Sequence, residues 1–535
     1  MNAMANLFNS QNNKSGNKVI YVNITISSNL TDSGKPDAWT PANYLWVQQE
    51  YTRRSALNAA PIKNADVYAA CPSTTTTPLG ILMWRTFATA LGWPNASIGF
   101  RDILQLASAP DGWAVKNHPE WGTFKFGHGH PEYSNSGRLS ILAAITSFTN
   151  LTQAQPLTTD LVTAASTVTG LKNFASSVYH MGTNDQALLS LMLSKGTNYL
   201  HGMTTYESVI LSTNTNTSQT IAEPVDFIYL SDGTFWQEHP YCVLDNMAWN
   251  TPEKIDGATQ FLTFLRSSTA QARLPEFGLR PLASLAPNGS AGVTDLICNG
   301  AKTKFSTVNG VDCRKNQETI PLLQYPNATV MNTVVQTWYT AKKPVTVALV
   351  IDVSGSMGDD GKIGAARAAA TLFINQLRDT DVLYLITFST NYTILGPNTA
   401  ATSNQTLAQT RSTYRNLVGG LVPNGNTALY DTVVVASQLV SAVRTNDKSA
   451  GLKRNYAVVL MTDGMDTTSV TSAPSAIAAL PDGTESDQLH MFSIGFGTDA
   501  DTTTLGAISK RTNAFYYPAS TTDIAGVYFA ISLEF

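Results

Sequence analysis

The chain has 535 residues, of which 43% are hydrophobic and 13% charged, with a formal net charge of −4. That length points to about two to four domains at roughly 100–200 residues each, and the charged fraction is about half of the usual ~25%. The apolar content excludes a disordered chain, and the lack of a basic excess excludes a nucleic-acid binder.

Residues 1–17 read as a polar, Asn-rich N-terminal extension without the apolar core of a secretory signal, which leaves the export route open. Residues 18–27 alternate apolar and polar side chains and predict a strand. A helix over 41–55, a strand over 65–70 and a helix over 77–90 follow. Strands alternating with helices imply parallel βαβ units and an α/β sheet. The pattern continues through a strand at 227–230 and a helix over 252–268, where Ile255, Ala258, Phe261, Leu262 and Leu265 recur at helical spacing. Residues 283–342 read as a linker, irregular over 282–315 with Pro287-Asn288-Gly289-Ser290, Asn299-Gly300 and Asn309-Gly310, then a short helix over 330–340. From 343 to 535 strands at 345–351, 382–389, 456–462 and 489–495 alternate with helices over 362–378, 405–418 and 428–443, a complete α/β domain. The apolar runs are strand-sized, so no membrane span is expected.

The N-x-S/T pattern occurs at Asn13, Asn23, Asn29, Asn95, Asn150, Asn216, Asn288, Asn327, Asn391 and Asn404. It suits a glycosylated, secreted or cell-surface protein, although a chain rich in Asn, Ser and Thr also makes such triplets by chance. The cysteines Cys71, Cys242, Cys298 and Cys313 allow three pairings, or four reduced thiols. Cys298 with Cys313 would close a short loop and leave Cys71 to Cys242. No Cys/His cluster predicts a structural zinc site.

The strand 345–351 runs into Asp352-Val353-Ser354-Gly355-Ser356, and sites in open α/β sheets lie beyond the carboxyl ends of strands. Asn426-Thr427-Ala428 offers another hydroxyl at a helix start, and Met461-Thr462-Asp463-Gly464 a second carboxylate at a strand end. Carboxylate and hydroxyl oxygens without imidazole or thiolate make a hard-cation site, for Mg²⁺ first and for Ca²⁺ or Mn²⁺ as alternatives. In order, spacing and context, Asp352-x-Ser354-x-Ser356, Thr427 and Asp463-Gly464 resemble the metal-ion-dependent adhesion site of von Willebrand factor A-like domains. The tail from Met491-Phe492-Ser493-Ile494-Gly495 resembles the last strand of that family. The resemblance implies a doubly wound parallel sheet over 343–535. It also implies metal ligation by Asp352, Ser354, Ser356 and Thr427, Asp463 acting through water, and an acidic side chain of a protein partner in the open position. Asp359, Asp360 and Asp466 read as solvated charges. The stretch from Gly355 to Gly361-Lys362 departs from a phosphate loop in spacing, and Ile363 stands where a hydroxyl is required, which excludes ATP there.

Trp121-Gly122-Thr123-Phe124-Lys125-Phe126, His130-Pro131-Glu132-Tyr133-Ser134-Asn135-Ser136-Gly137, Asp232-Gly233-Thr234, His239-Pro240 and Phe277-Gly278-Leu279-Arg280-Pro281 resemble two-lobed type II extracellular solute-binding proteins over 18–282. The resemblance implies two α/β lobes, the second over about 120–225, with crossings near 114–125 and 222–227. It also makes Ser134, Asn135 and Ser136, ahead of a helix over 139–148, candidate contacts for a small-molecule ligand in the cleft; a plain helix cap is the alternative. Residues 73–77 would line the opposite wall. A Cys71–Cys242 bond near the hinge would restrain lobe closure. His128-x-His130 with Glu132 could hold a transition metal, although two histidines at that spacing are more often structural.

No spacing nominates a catalytic triad, a metalloprotease or a P-loop, so the expectation is a non-enzyme. The reading is an extracellular, metal-dependent binding or adhesion protein. The alternatives are a solute receptor using the first domain's cleft, and a self-associating subunit of a surface filament or coat.

Overall fold

The strand Val345–Asp352 is buried along its whole length of 8 residues, as a near-continuous apolar run requires at the centre of a parallel sheet. The computed structural model describes every residue except 27–29, 132–133, 150, 152–154, 219, 287, 483–488 and 535. It divides into two units, Met1–Ala341 and Lys342–Phe535.

In the second unit six strands lie in the order Tyr392–Leu395, Val382–Phe388, Val345–Asp352, Asn455–Thr462, Leu489–Phe496 and Tyr516–Ala519. All pairings are parallel except that of Tyr392–Leu395. Alternation along the central strand assigns its two faces to two cores. Val345, Val347, Leu349 and Ile351 pack with the helices Lys362–Gln376, Leu407–Gly419 and Ile524–Ser532. Ala348 and Val350 pack with Leu429–Ser449 and Thr502–Arg511. Helices on both faces make the sheet doubly wound, as expected. The strand order reverses between Val345–Asp352 and Asn455–Thr462. That switch point is where open sheets of this kind leave a crevice, and Asp352 and Asp463 stand on its two sides. The short strands Tyr392–Leu395 and Tyr516–Ala519 and the helix Ala473–Ala478 carry no strong periodicity and lie beyond what the pattern shows.

The first unit contains a six-stranded mixed sheet, whose main order is Val178–Gly182, Phe126–Gly129, Gly202–Tyr206, Thr77–Trp84 and Val225–Ile228. Thr77–Trp84 runs antiparallel to its neighbours, beside the parallel pairings of Phe126–Gly129 that the alternating pattern implied. This strand also corrects the helix read over 77–90; only Arg85–Ala90 is helical. A run buried on every residue shows neither period, and length and β-branched flanks would have had to decide. Residues 65–70 are not a strand either, because Asp66 caps the helix Val67–Ala70 by accepting from the Tyr68 and Ala69 N–H groups. Among the described residues of the strand read over 18–27, Lys18–Val19 pairs, with Lys14–Ser15.

Both crossing positions shift. Residues 114–125 join Thr77–Trp84 to Phe126–Gly129 within one sheet, and 222–227 run into Val225–Ile228 of the same sheet, so neither passes between lobes. The passages are two antiparallel segments: Thr77 pairs with Gln237, Pro78 with Trp236 and Ser73 with Pro240. The disulfide Cys71–Cys242 ties their far ends, with 2.05 Å between the sulfurs; the second bond is Cys298–Cys313. The sheet of the first unit therefore takes its first strand from Thr77–Trp84, ahead of the 120–225 stretch. The rest of the first unit is mostly helical. Its N-terminal helix Asn2–Asn9 buries Met4, Ala5 and Phe8 against Phe261 and Leu265, so the stretch read as a polar extension contributes one helix to a core. The stretch read as a linker belongs to the first unit and contains the helices Gly289–Asn299 and Ala328–Ala341.

Arg280 fastens this arrangement. Its guanidinium donates Nε and Nη2 to both oxygens of Glu207 at 2.5 and 2.7 Å, with the side chains 1% and 0% exposed. Tyr229 Oη donates to the same carboxylate. The Arg280 carbonyl accepts from Thr76 N–H and Thr75 Oγ1 in the passage segment. Arg280→Met leaves Glu207 as an unpaired buried charge, and the expected loss of stability is about 3–5 kcal/mol, read by urea unfolding. A loss below about 1 kcal/mol would contradict this account of the pair.

Candidate metal centre

The centre is assembled from three loops at the carboxyl end of the second sheet. The first leaves Val345–Asp352 and is fixed by backbone bonds: Val353 N–H donates to Phe388 O, Asn424 N–H to Val353 O and Gly355 N–H to Gly425 O. These bonds bring the 421–428 loop alongside Ser354 and Ser356. Thr427 is held by Thr467 from both sides, its N–H donating to Thr467 Oγ1 at 2.9 Å and its carbonyl accepting from Thr467 N–H at 2.8 Å. The third loop begins at Asp463.

Asp352 is fully buried. Its Oδ1 accepts from Ser354 N–H at 2.7 Å and its Oδ2 from Thr462 Oγ1 at 2.5 Å. Burial pushes its carboxyl up to about 6, against the opposing pull of those donors. Ser354 Oγ lies 3.2 Å from Ser356 Oγ, and Ser356 Oγ donates to Asp463 Oδ1 at 2.8 Å. Asp463 Oδ2 accepts from Lys362 Nζ at 2.7 Å. Ser354, Thr427 and Asp463 are buried and Ser356 is exposed, so the group opens outward at Ser356.

The five residues named from the sequence thus share one place: Asp352, Ser354, Ser356 and Asp463 in a single hydrogen-bonded set, and Thr427 on the adjoining loop. The donors fit a small divalent cation. Two carboxylates buried side by side are costly without positive charge, and hard oxygens suit Mg²⁺, Mn²⁺ or Ca²⁺. Thr462 and Lys362 are additional members that sequence reading passed over. Thr462 was visible only as the end of a strand, and Lys362 only as part of a rejected phosphate loop. Asp466 is not merely solvated, since it accepts from the Tyr430 and Ser469 N–H groups at 3.1 Å each; Asp359 and Asp360 are exposed.

Ser134, Asn135 and Ser136 meet at the start of the helix Asn135–Thr149, facing the helix Tyr44–Ser55 of the other lobe. Asn135 Oδ1 accepts from Asn43 Nδ2 at 2.8 Å and Trp46 Nε1 at 2.9 Å, and its Nδ2 donates to Tyr206 Oη at 2.8 Å. Ser134 and Ser136 share a 2.8 Å hydroxyl contact. Arg138 adds a bond to Gln49 Oε1 at 2.8 Å and lies over the Trp46 ring. The Asn135 side chain is therefore spent on bonds to Asn43 and Trp46 near the helix Tyr44–Ser55 and to Tyr206 of the sheet. Nearby, Thr77 Oγ1 and Gln237 Nε2 are buried without a hydrogen-bond partner, on paired positions whose face of the sheet also bears Tyr206.

His128 is buried against Phe174 and Trp338, and its Nδ1 lies 2.7 Å from Gly129 O. Glu132 lies outside the described residues, and among those described no group of three or more His, Cys, Asp or Glu side chains could hold a metal ion. Of the glycosylation candidates, Asn23, Asn95, Asn216, Asn288, Asn327, Asn391 and Asn404 are exposed and Asn13 is half-buried; Asn29 and Asn150 lie outside the described residues. Among the described residues no helix is long and apolar enough to cross a membrane.

Comparison with known proteins gives two family matches. The family described as bacterial extracellular solute-binding protein matches residues 1–280, just over half of the chain. The von Willebrand factor type A domain matches residues 346–528. Inter-alpha-trypsin inhibitor heavy chain H4 of Homo sapiens is 30% identical over 156 residues, which is 29% of this chain and 16% of that protein. A von Willebrand factor type A structure from Catenulispora acidiphila is similar at 20% identity and a TM-score of 0.31, covering 36% of this chain and 42% of that one. The corresponding domain of the type V pili tip protein Mfa5 from Porphyromonas gingivalis is similar at 14% identity and a TM-score of 0.26, covering 36% and 94%.

Beside the passage segments, burial raises the Glu238 carboxyl to about 7. A carboxyl raised on folding contributes stability that is full below its unfolded value of about 4.5 and is lost as pH rises through about 7. Glu238→Gln should therefore have a higher thermal midpoint than the parent at pH 8 and no such gain at pH 4.5. Midpoints that differ equally at both pH values would contradict the assignment.

Proposed function

The chain belongs to the bacterial extracellular solute-binding proteins and carries a von Willebrand factor type A domain, and from that premise we propose that it is a metal-dependent adhesion protein. Both family matches support an extracellular or surface binding protein. In the finer reading, Asp352, Ser354, Ser356 and Thr427 hold a divalent cation, Mg²⁺ before Ca²⁺ or Mn²⁺, with Asp463 behind them. The outward position at Ser356 takes a carboxylate of a protein partner. The cation would supply Lewis acidity toward that oxygen. The chain's own part is to orient both aspartates, through Thr462, Ser354 N–H and Ser356, before the cation arrives. The observation that supports the reading most is the pair of buried strand-end carboxylates flanking the switch point. The proposal assigns the site binding and no reaction, and an export route or glycan is not needed for it.

A second reading, a solute receptor, draws support from Thr77 Oγ1 and Gln237 Nε2, which are buried, unpartnered and on the face that bears Tyr206. Self-association through the same metal position is an outcome of the experiment below.

Isothermal titration of the chelator-treated chain with Mg²⁺, Mn²⁺ and Ca²⁺ should show one site, and Asp352→Ala should weaken it by more than about 100-fold. Titrations equal in parent and variant would overturn the metal reading. Sedimentation in the same buffers should show whether the cation drives copies together. A thermal shift with an amino acid, sugar or oxyanion that survives Asp352→Ala would favour the receptor instead.

A further inference from the structure

Lys362 stands where a cation is electrostatically out of place. It opens the helix Lys362–Gln376, and the free N–H groups of a helix start already carry the positive end of the dipole. The turn that delivers it runs through two left-handed residues, Asp360 and Gly361, at φ 49° and 73°, residue types that tolerate that conformation. What holds the ammonium there is Asp463, whose Oδ2 is 2.7 Å away, with the two side chains 14% and 0% exposed. The other oxygen of that carboxylate accepts from Ser356 at 2.8 Å. Asp463 is thus held from one side by a charge and from the other by a hydroxyl that faces the metal position. Asp359 and Asp499 also act on Lys362, but both are exposed and screened by water.

The charge count has a consequence for what the site binds. Asp352 and Asp463 supply two negative charges and Lys362 one positive, so the donor set carries one net negative charge. A divalent cation then leaves one net positive charge on the loaded site. With a neutral side chain at 362, the loaded site would carry none.

We propose that Lys362 sets the charge of the metal site, so that the cation alone is held weakly and a carboxylate is needed to complete its binding. This deepens the metal reading above and rests on it. Lys362 acts through Asp463 as a positioning residue and does not ligate. Two charges a few ångströms apart in a partly buried setting interact by several times the thermal energy, enough to couple cation and acid. An arginine at 362 would keep the charge, whereas methionine keeps the stem and removes it.

The test is isothermal titration of the full chain with Mn²⁺, with and without saturating acetate, for the parent, Lys362→Met and Lys362→Arg. In acetate-free buffer Lys362→Met should bind Mn²⁺ at least about tenfold more tightly than the parent. The factor by which acetate improves Mn²⁺ affinity should fall toward one in Lys362→Met and persist in Lys362→Arg. Unchanged or weaker Mn²⁺ binding by Lys362→Met with the acetate factor intact would overturn the proposal while leaving the metal reading standing. No Mn²⁺ uptake by the parent would remove both. Should Lys362→Met unfold, Lys362→Gln is read by the same two numbers.

Discussion

Two carboxylates, Asp352 and Asp463, end adjacent parallel strands and are almost wholly removed from water. Burying like charges together is among the more costly things a fold can do, and the architecture around this point answers that constraint. Each oxygen of each aspartate has a donor: Ser354 N–H, Thr462 Oγ1, Ser356 Oγ and Lys362 Nζ. The flanking loops are locked by backbone bonds from Gly355 to Gly425 and between Thr427 and Thr467. Donors that are preset in this way need little rearrangement when a cation arrives, which is how a shallow site on loops can be geometrically exact enough to bind one.

The first unit shows a different use of polar contacts. Its two lobes meet through Asn43, Trp46 and Gln49 on one side and Asn135 and Arg138 on the other. The passages between them are paired as antiparallel segments, tied by Cys71–Cys242 and braced by the buried Arg280–Glu207 pair. The neutral bonds to Asn135 are worth about 1 kcal/mol each, and the charged Arg138 bond to Gln49 about 1.5–3 kcal/mol. The covalent tie and the ion pair restrain the passages themselves, and the Asn135 contacts join the helix Asn135–Thr149 to Asn43 and Trp46.

The four long strands of the second unit and the helices between them were legible from sequence, and the reason is physical. Its strands are apolar runs that end in charged or hydroxyl residues, and its helices alternate with them, so period and punctuation agree. The candidate metal ligands stand on the loops that the strand ends dictate. Lys362 and Thr462 were harder to see because their roles arise from contacts to Asp463 and Asp352, over 101 and 110 residues of sequence, which no local pattern carries. The first unit resisted for another reason. Thr77–Trp84 is buried on all its residues, which erases the periodicity that separates strand from helix. With that strand misread, the passages between lobes fell in the wrong places. Residues 1–17 looked detached because only Met4, Ala5 and Phe8 face the core, too few to show a stripe.

The central claim is that these buried oxygens hold one hard cation at the switch point of the second sheet. Anomalous diffraction from crystals of the chain grown with Mn²⁺ tests it most directly. The account predicts one strong peak within about 2–2.5 Å of oxygens of Ser354 and Ser356, with an outward ligand near Ser356. Full-occupancy Mn²⁺ elsewhere on the chain and none between Asp352 and Asp463 would contradict it.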